Sequence, residues 1–150
     1  DDCKNEHLMF LLLRNFCSKG SSYQDRIVQE SWIKNLFTDQ YHTLYTHSPL
    51  KKIILQFVCN LATNNEHTSE ILWKFTFPTF FQFIFEHCNE ECIHITIVWM
   101  YNMTINNEIR ICSLCSSEGL PLTKYILDYL DSKVEYLFEW SVRFCRSFIQ

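Results

Sequence analysis

Three segments of this chain carry the same helical pattern around an asparagine, at near-constant spacing. Asn15, Asn60 and Asn102 are 45 and 42 residues apart. When the segments are aligned on these asparagines, five further positions coincide, and fourteen of those fifteen residues are apolar. They are Leu8, Met9, Leu12, Leu13 and Phe16, then Ile53, Ile54, Phe57, Val58 and Leu61, then Ile95, Thr96, Trp99, Met100 and Met103. Because this spacing places each set on one face of an α-helix, the pattern predicts three equivalent helices.

A polar linker follows each of the three segments, at residues 18–22, 63–67 and 106–108. Any amphipathic helices would share an apolar stripe. A shared asparagine, a shared polar exit and a near-equal period together favour a repeat instead. A period of about 40–47 residues is typical of armadillo and HEAT repeats. We therefore predict an all-α chain that forms an armadillo-like α-solenoid, in which successive repeats stack along one axis.

The composition disfavours several other fold and function classes. Two Gly and three Pro in 150 residues are too few for the tight turns of an all-β or Rossmann-type chain. The net charge is −4 and the basic residues are scattered, so no nucleic-acid partner is predicted. The longest apolar-rich run, residues 71–85, contains polar residues and is too short to span a bilayer. The sequence therefore predicts no membrane segment.

The eight cysteines allow two interpretations. In a small secreted chain they would predict four disulfides. Here Cys17, Cys59 and Cys112 lie in or beside helical segments, where a free cysteine behaves as a small apolar residue. With 13 Phe in its sequence, the chain does not need covalent cross-links to hold a core. We therefore predict reduced thiols and a cytoplasmic location.

Local signals divide the chain into helices without a visible domain boundary. Ser48-Pro49 is a helix start signal, and Phe77-Pro78 breaks a helix. The predicted helices cover residues 2–18, 23–37, 49–63, 68–77, 79–87, 90–106, 120–130 and 134–149, and residues 38–48 are a short helix or a loop. The first residue is not Met, and the last predicted helix is strongly apolar. We therefore interpret residues 1–150 as a single armadillo-like repeat domain and expect it to be a fragment of a longer chain.

A zinc- or thiol-dependent enzyme is an alternative interpretation of the middle of the chain. The candidate ligands are His87, Cys88, Cys92 and His94. The two cysteines are four residues apart, but the histidines do not share their helical face, and structural zinc requires four tetrahedral ligands. The C-x-x-C at residues 112–115 has no second pair to complete a zinc site. Because no catalytic motif is present either, we predict no enzyme activity, metal, cofactor or small-molecule substrate.

The repeated asparagines are the basis for the functional prediction. An amide offers two donor hydrogens and an acceptor oxygen, so amides along a groove could clamp the backbone of an extended peptide. The alternative is that each asparagine braces the backbone of the neighbouring repeat. The residues four and eight positions before each asparagine are mixed in polarity: Leu11 and His7, Gln56 and Lys52, and Val98 and His94. The predicted partner-binding residues are Asn15, Gln56, Asn60 and Asn102, together with Arg14 and Lys52, which favour an acidic partner.

A structural oligomer is a further alternative. The ends of a solenoid expose apolar surface unless they are capped. The last predicted helix looks too apolar to face water, since it carries Leu137, Phe138, Trp140, Phe144 and Phe148. We therefore expect the partners to be other proteins, including further copies of this chain.

Three stretches of the chain, taken in order, carry a resemblance to a known family. Residues 13–17 (Leu-Arg-Asn-Phe-Cys) followed by residues 24–27 resemble an L-R-N-x-C helix and its glutamine-containing exit. Residues 55–61 match an L-Q-F-x-x-N motif, and residues 71–78 resemble an I-V-W-x-x-x-F-P segment. All three are similar to motifs of the ataxin-10 family of armadillo-like proteins, and the likeness spans roughly residues 8–107.

This resemblance implies a right-handed superhelix of helical repeats without catalytic activity. It also implies a cytoplasmic protein that self-associates and has roles in neuron survival, neurite growth and cytokinesis. The chain departs from the family at two places. Tyr23-Gln24 stands where the family has an Asn-Gln pair, and residues 134–149, a candidate fourth copy, lack the asparagine. A continuous four-copy ladder of asparagines is therefore not predicted.

Overall fold

A computed structural model describes residues 2–38 and 41–149 of the chain. Within these ranges the chain forms eleven α-helices and one 3₁₀ helix and contains no β-strand, so the all-α prediction is confirmed. The α-helices are α1 (Asp2–Cys17), α2 (Ser21–Val28), α3 (Ser31–Asn35), α4 (Tyr41–His47), α5 (Lys51–Ala62), α6 (Glu66–Thr76), α7 (Thr79–His87), α8 (Glu90–Thr104), α9 (Glu108–Cys115), α10 (Leu120–Asp128) and α11 (Glu135–Arg146), and the 3₁₀ helix is Tyr129–Asp131. The parts of the predicted domain and of the predicted 38–48 segment that fall on residues 1, 39, 40 and 150 lie outside the described residues.

Helices that are distant in the sequence pack against each other in three rows. In the first row α1 contacts α5, α5 contacts α8, and α8 contacts α11. In the second row α4 contacts α7 and α7 contacts α10, while α2 contacts α6 in the third. The three helices that carry the aligned asparagines therefore lie side by side, in the order in which the chain makes them.

Aromatic residues occupy the middle of the core. Trp99 on α8 is fully buried, and the ring centroids of Phe81, Phe37 and Phe80 lie 5.2, 5.9 and 6.1 Å from its own. Tyr45 on α4 is also fully buried, with its ring centroid 5.0 Å from that of Phe80. These rings come from α4, α7, α8 and the residues after α3. Their burial therefore holds the first and second rows together.

The turns after α5 and α8 are built from the same pair of asparagines. Asn64 and Asn106 have φ angles of 56° and 62°, a left-handed conformation that asparagine tolerates better than most residues. The next residue, Asn65 or Asn107, caps the following helix. Its Oδ1 accepts a hydrogen bond from the backbone N–H three residues later, at 3.2 Å for Asn65 and 3.0 Å for Asn107. Local chemistry therefore ends one helix and starts the next at both turns.

The capping asparagines also connect successive turns. Asn65 Nδ2 donates to Asp25 Oδ1 at 2.9 Å, and Asn107 Nδ2 donates to Glu66 Oε1 at 3.0 Å. Glu66 Oε1 lies 2.8 Å from Nη2 of Arg110, a side chain that is almost completely buried. Amide and ionic contacts therefore join α2 to the start of α6, and the start of α6 to that of α9.

Two parts of the helical prediction are wrong. The predicted helix over residues 23–37 is interrupted, because Glu30 takes an extended conformation (φ −67°, ψ 132°) between α2 and α3. The helix α9 is not predicted at all. Its buried residues are Arg110 and Leu114, while Ile109 is 80% exposed. Because a charged residue stands at a buried position and an apolar one faces solvent, α9 lacks the hydrophobic period that reveals a helix.

The aligned apolar face of α1 is exposed, unlike its counterparts on α5 and α8. Phe57 and Trp99, at equivalent positions on those helices, are fully buried. Helix α1 contacts α5 and α2, and these contacts leave four of its aligned residues 43–54% exposed: Leu8, Met9, Leu12 and Phe16. The first row of helices therefore ends at α1 in an exposed apolar face, which we call the α1 face and define by these four residues.

Candidate functional site

A groove of about 380 Å³ runs across the first row of helices, between α1, α5, α8 and α11. Its walls combine polar side chains from α1 and α5 with mainly apolar ones from α8 and α11. The lining residues are Arg14, Gln56, Cys59, Asn60, His94, Ile95, Val98 and Trp140. The groove thus brings together Arg14, Gln56 and Asn60, three of the residues predicted to bind a partner.

Arg14 and Gln56 form the polar end of the groove. Arg14 Nη1 donates to Gln56 Oε1 at 2.8 Å, which joins α1 to α5. Both residues are partly buried, and the hydrogen bond fixes the orientation of the Arg14 guanidinium at this end of the groove. Lys52 does not line the groove. It is exposed and pairs with Glu91 of α8 at 3.1 Å, so its charge is already balanced within the chain.

The three aligned asparagines differ in their surroundings. Asn60 Nδ2 donates to the backbone oxygen of Arg14 at 3.4 Å, and Asn102 Nδ2 donates to Thr63 Oγ1 at 3.2 Å. Asn60 of α5 thus contacts α1, and Asn102 of α8 contacts the residue that follows α5. Both contacts are those expected of a side chain that braces neighbouring helices. Asn15 is exposed on α1. Of the three, only Asn60 lines the groove.

The apolar side of the groove was not among the predicted site residues. The ring of His94 lies beside that of Tyr136 of α11, with centroids 4.8 Å apart and planes inclined at 52°, and its Nε2 is buried without a hydrogen-bond partner in the described chain. Burial lowers the pKa of His94, against the opposing charge of Glu139, so the ring is neutral at neutral pH. The sequence could have indicated the two residues of α8, since His94 and Val98 stand eight and four residues before Asn102 on the same side of the helix. No sequence signal places Trp140 of α11 beside them.

Cys59, whose thiol lines the groove, is unreactive at neutral pH. Burial raises the pKa of Cys59 to about 12, despite a hydrogen bond from the Asn102 amide. A thiol with such a pKa is protonated at neutral pH and is a poor nucleophile. All eight cysteines of the chain are free. The groove is therefore suited to contact rather than to covalent chemistry.

The residues considered as zinc ligands do not form one cluster. The His94 ring lies beside Tyr136 of α11, while the Cys88 Sγ lies 3.5 Å from the backbone oxygen of Tyr45 on α4. Over residues 2–38 and 41–149, no group of three or more His, Cys, Asp or Glu is placed to hold a metal ion. Cys112 and Cys115 are both exposed on α9.

In the part of the chain that the structure describes, no helix has both the length and the apolar character needed to cross a bilayer. A comparison of the chain with known protein families, with curated proteins and with solved structures finds no match in any of the three.

Proposed function

We propose that this chain is a non-catalytic scaffold that binds other proteins through the groove on its first row of helices. The single observation that carries the proposal is the groove itself, with an oriented arginine at one end and half-buried apolar side chains at the other. The order of contacts from α1 to α5, α8 and α11 supports an armadillo-like α-solenoid. In such stacks a row of equivalent helices offers a continuous surface to a partner.

The chemistry of the groove favours an extended acidic segment. Arg14 is the one formally charged residue among its lining, so a carboxylate of the partner would meet the guanidinium there. Ile95, Val98 and Trp140 would receive an apolar side chain of the same segment. Asn60 also lines the groove; its Nδ2 donates to the backbone oxygen of Arg14, and its Oδ1 would accept a hydrogen bond from an N–H of the peptide backbone.

Charge reversal at Arg14 tests this proposal. We expect Arg14→Glu to reduce capture of the partner from cell extract by about tenfold or more, because it places like charges together. Val98→Glu, which puts a charge on the apolar side, is expected to have a similar effect. Each variant is compared with the unaltered chain by affinity capture and quantitative mass spectrometry.

Two controls make the result specific. Lys34→Glu changes the net charge by the same amount on an exposed residue of α3, outside the groove, and should capture the partner normally. Arg14→Lys keeps the charge and should retain part of the binding. If the same proteins are captured equally by Arg14→Glu, Val98→Glu and Lys34→Glu, the groove is not the binding site.

The resemblance to the ataxin-10 family supports a proposal about the location and role of the protein in the cell. The matching motifs lie on α1, α2, α5 and α6, and two of these helices, α1 and α5, carry aligned segments. On this basis we place the chain in the cytoplasm, as part of a longer ataxin-10-like protein with roles in neuron survival, neurite growth and cytokinesis.

Self-association is a second candidate function, and the α1 face favours it. This face is an extended apolar stripe on one helix, and Tyr23 of α2 adds to it with 44% exposure. Exposed apolar patches of this kind mark interaction surfaces. A second copy of the chain, covering the α1 face, would continue the packing that α5 receives from α1.

Leu12→Glu tests the second candidate. We expect this variant to be monomeric at concentrations where the unaltered chain forms larger species, because a buried carboxylate would be left unpaired in the interface. Multi-angle light scattering over a dilution series measures the mass. Ile109→Glu alters an apolar residue of similar size that is 80% exposed on α9, and it should leave the mass unchanged. A monomeric unaltered chain at every concentration would reject self-association.

A further inference from the structure

His94 lies where α8 meets α11, on the apolar side of the groove. The ring centroids of Tyr136 and Trp140, both on α11, lie 4.8 and 6.3 Å from that of His94. The Nε2 atom of His94 is buried and has no hydrogen-bond partner in the described chain. A neutral imidazole carries one N–H, and the charged ring carries two. Protonation of His94 therefore places a donor at Nε2 where the described residues offer no acceptor.

The carboxylate that could compensate this charge is already engaged. Glu139 of α11 is the one ionised group of the described chain whose charge shifts the pKa of His94, and burial of the ring outweighs it. Glu139 Oε1 accepts a hydrogen bond from Nη2 of Arg143 at 2.6 Å, and both side chains are about half exposed. The Arg143 guanidinium also lies 4.9 Å from the ring centroid of Trp140. The α11 side of the contact therefore does not favour a charged imidazole.

The other helices around the ring do not supply a free carboxylate either. Arg14 of α1, which lines the same groove, is positively charged. Burial raises the pKa of Cys59 on α5 to about 12, so this thiol is neutral. On α8 itself Glu90 and Glu91 are exposed, and Glu91 pairs with Lys52 of α5 at 3.1 Å. Helices α6, α7 and α9 also contact α8, but none of their residues lines the groove.

We infer that His94 makes the packing of α11 against α8 dependent on pH, so that α11 separates from α8 more readily in mildly acidic solution. Protonation puts an unpaired positive charge between the two helices, and the charge is hydrated only when the ring reaches water. Because α11 carries Trp140, the apolar wall of the groove depends on pH as well. An effect on the capture of a partner would rest on the proposed function, whereas the packing of α11 does not.

The direction of the effect follows from comparing the ring in two states. When α11 is separated and His94 faces water, the ring takes up a proton at its ordinary pKa of about 6.5. When α11 is packed, burial keeps the pKa of His94 lower. The separated state therefore binds the proton first as the pH falls. The packing of α11 is at full strength above about pH 6.5 and weakens below it.

Proton NMR of the six histidine rings tests the protonation step. The resonance that disappears in His94→Phe belongs to His94. We expect it to titrate at lower pH than the resonances of His7 and His67, which are exposed. A His94 ring that titrates at the same pH as these two, or at higher pH, would overturn the inference, because the packed helices would then tolerate or favour the charged form.

Hydrogen exchange of the whole chain tests the effect on α11. Amide exchange within Glu135–Arg146 is measured at about pH 7.5 and about pH 5.5 and corrected for the intrinsic pH dependence of exchange. We expect the corrected exchange to be about threefold or more faster at the lower pH. His94→Phe keeps a ring that cannot be protonated, and it should lose this acceleration. His94→Gln is a second uncharged variant and should behave in the same way.

Two further variants make the result specific. His67→Gln alters an exposed histidine of α6 outside the groove and should keep the acceleration of the unaltered chain. Glu139→Gln removes the charge that raises the pKa of His94, so the ring should titrate at still lower pH. Equal corrected exchange at both pH values, or equal acceleration in His94→Phe and His94→Gln, contradicts the inference. Because no partner is present in these measurements, their failure leaves the proposed binding function standing.

Discussion

Replacing Trp99 with alanine is expected to lower the free energy of unfolding by about 3–5 kcal/mol. Trp99 is fully buried, and its ring centroid lies 5.2 Å from that of Phe81 and 5.9 Å from that of Phe37. The substitution removes the largest fully buried side chain of the described residues and leaves a cavity that rigid aromatic neighbours cannot fill. The loss combines lost burial of apolar area with lost ring contacts.

Urea unfolding followed by far-UV circular dichroism measures this effect. The slope of the unfolding free energy with urea should be unchanged, so the midpoint alone moves. Trp99→Phe is the matched variant, since it retains an aromatic ring. The Nε1 of Trp99 has no hydrogen-bond partner in the described chain, so its removal leaves no orphan group. A loss below about 1 kcal/mol for the alanine variant would mean that the cluster is not the centre of the core.

Gly119→Ala is expected to be the second most damaging substitution, with a loss of about 3 kcal/mol. Gly119 is the residue before α10, where the chain turns back against the end of α9. A Cβ at this position would overlap the backbone of Ser113 and Leu114. Because the neighbouring atoms belong to the main chain, no rotamer change relieves the overlap, and the two helices must separate.

The turn itself supplies the control for Gly119. Ser117→Ala alters an exposed residue two positions earlier, and its effect should stay within about 0.5 kcal/mol. Both variants are compared by chemical denaturation under the same conditions. If Gly119→Ala is as stable as Ser117→Ala, the approach of α10 to α9 is looser than the structure describes.

Much of the helical content was predictable because its causes are local. Helix α6 ends at Thr76, directly before the Phe77-Pro78 break that the sequence indicates. The apolar stripes of α5 and α8 were visible from the helical spacing of their residues alone. The start of α5 was predicted two residues too early. Ser48 Oγ accepts a hydrogen bond from the Leu50 N–H at 3.0 Å, so the serine forms a turn before the helix rather than its cap.

Features that depend on tertiary contacts were not predictable in the same way. The hydrophobic period continues through Glu30, although the backbone there is extended. Helix α9 depends on Arg110, whose charge hides a buried position from any hydrophobic pattern. Arg110 is held by Glu66 at 2.8 Å and by a hydrogen bond to Met103 O at 2.7 Å. Neither contact can be read from residues near Arg110 in the sequence.

In the candidate site, too, some residues could be predicted from the local sequence, whereas others depend on tertiary contacts. Arg14, Gln56 and Asn60 were predicted from their places beside the repeated stripe, and the packing of α1 on α5 brings them together. Lys52 was also predicted, but it is paired with Glu91, a contact between helices that the repeat pattern does not encode. The role of Trp140 depends on how α11 packs against α8, which the sequence pattern does not specify.

The four tryptophans of the chain lie in four different helices: Trp32 in α3, Trp73 in α6, Trp99 in α8 and Trp140 in α11. Trp99 is fully buried, while the other three are partly exposed. Variants that keep a single indole would turn this arrangement into a set of intrinsic fluorescent reporters, each confined to one segment. Emission from each reporter during heating would reveal whether the ends of the molecule melt before its middle, without any added dye.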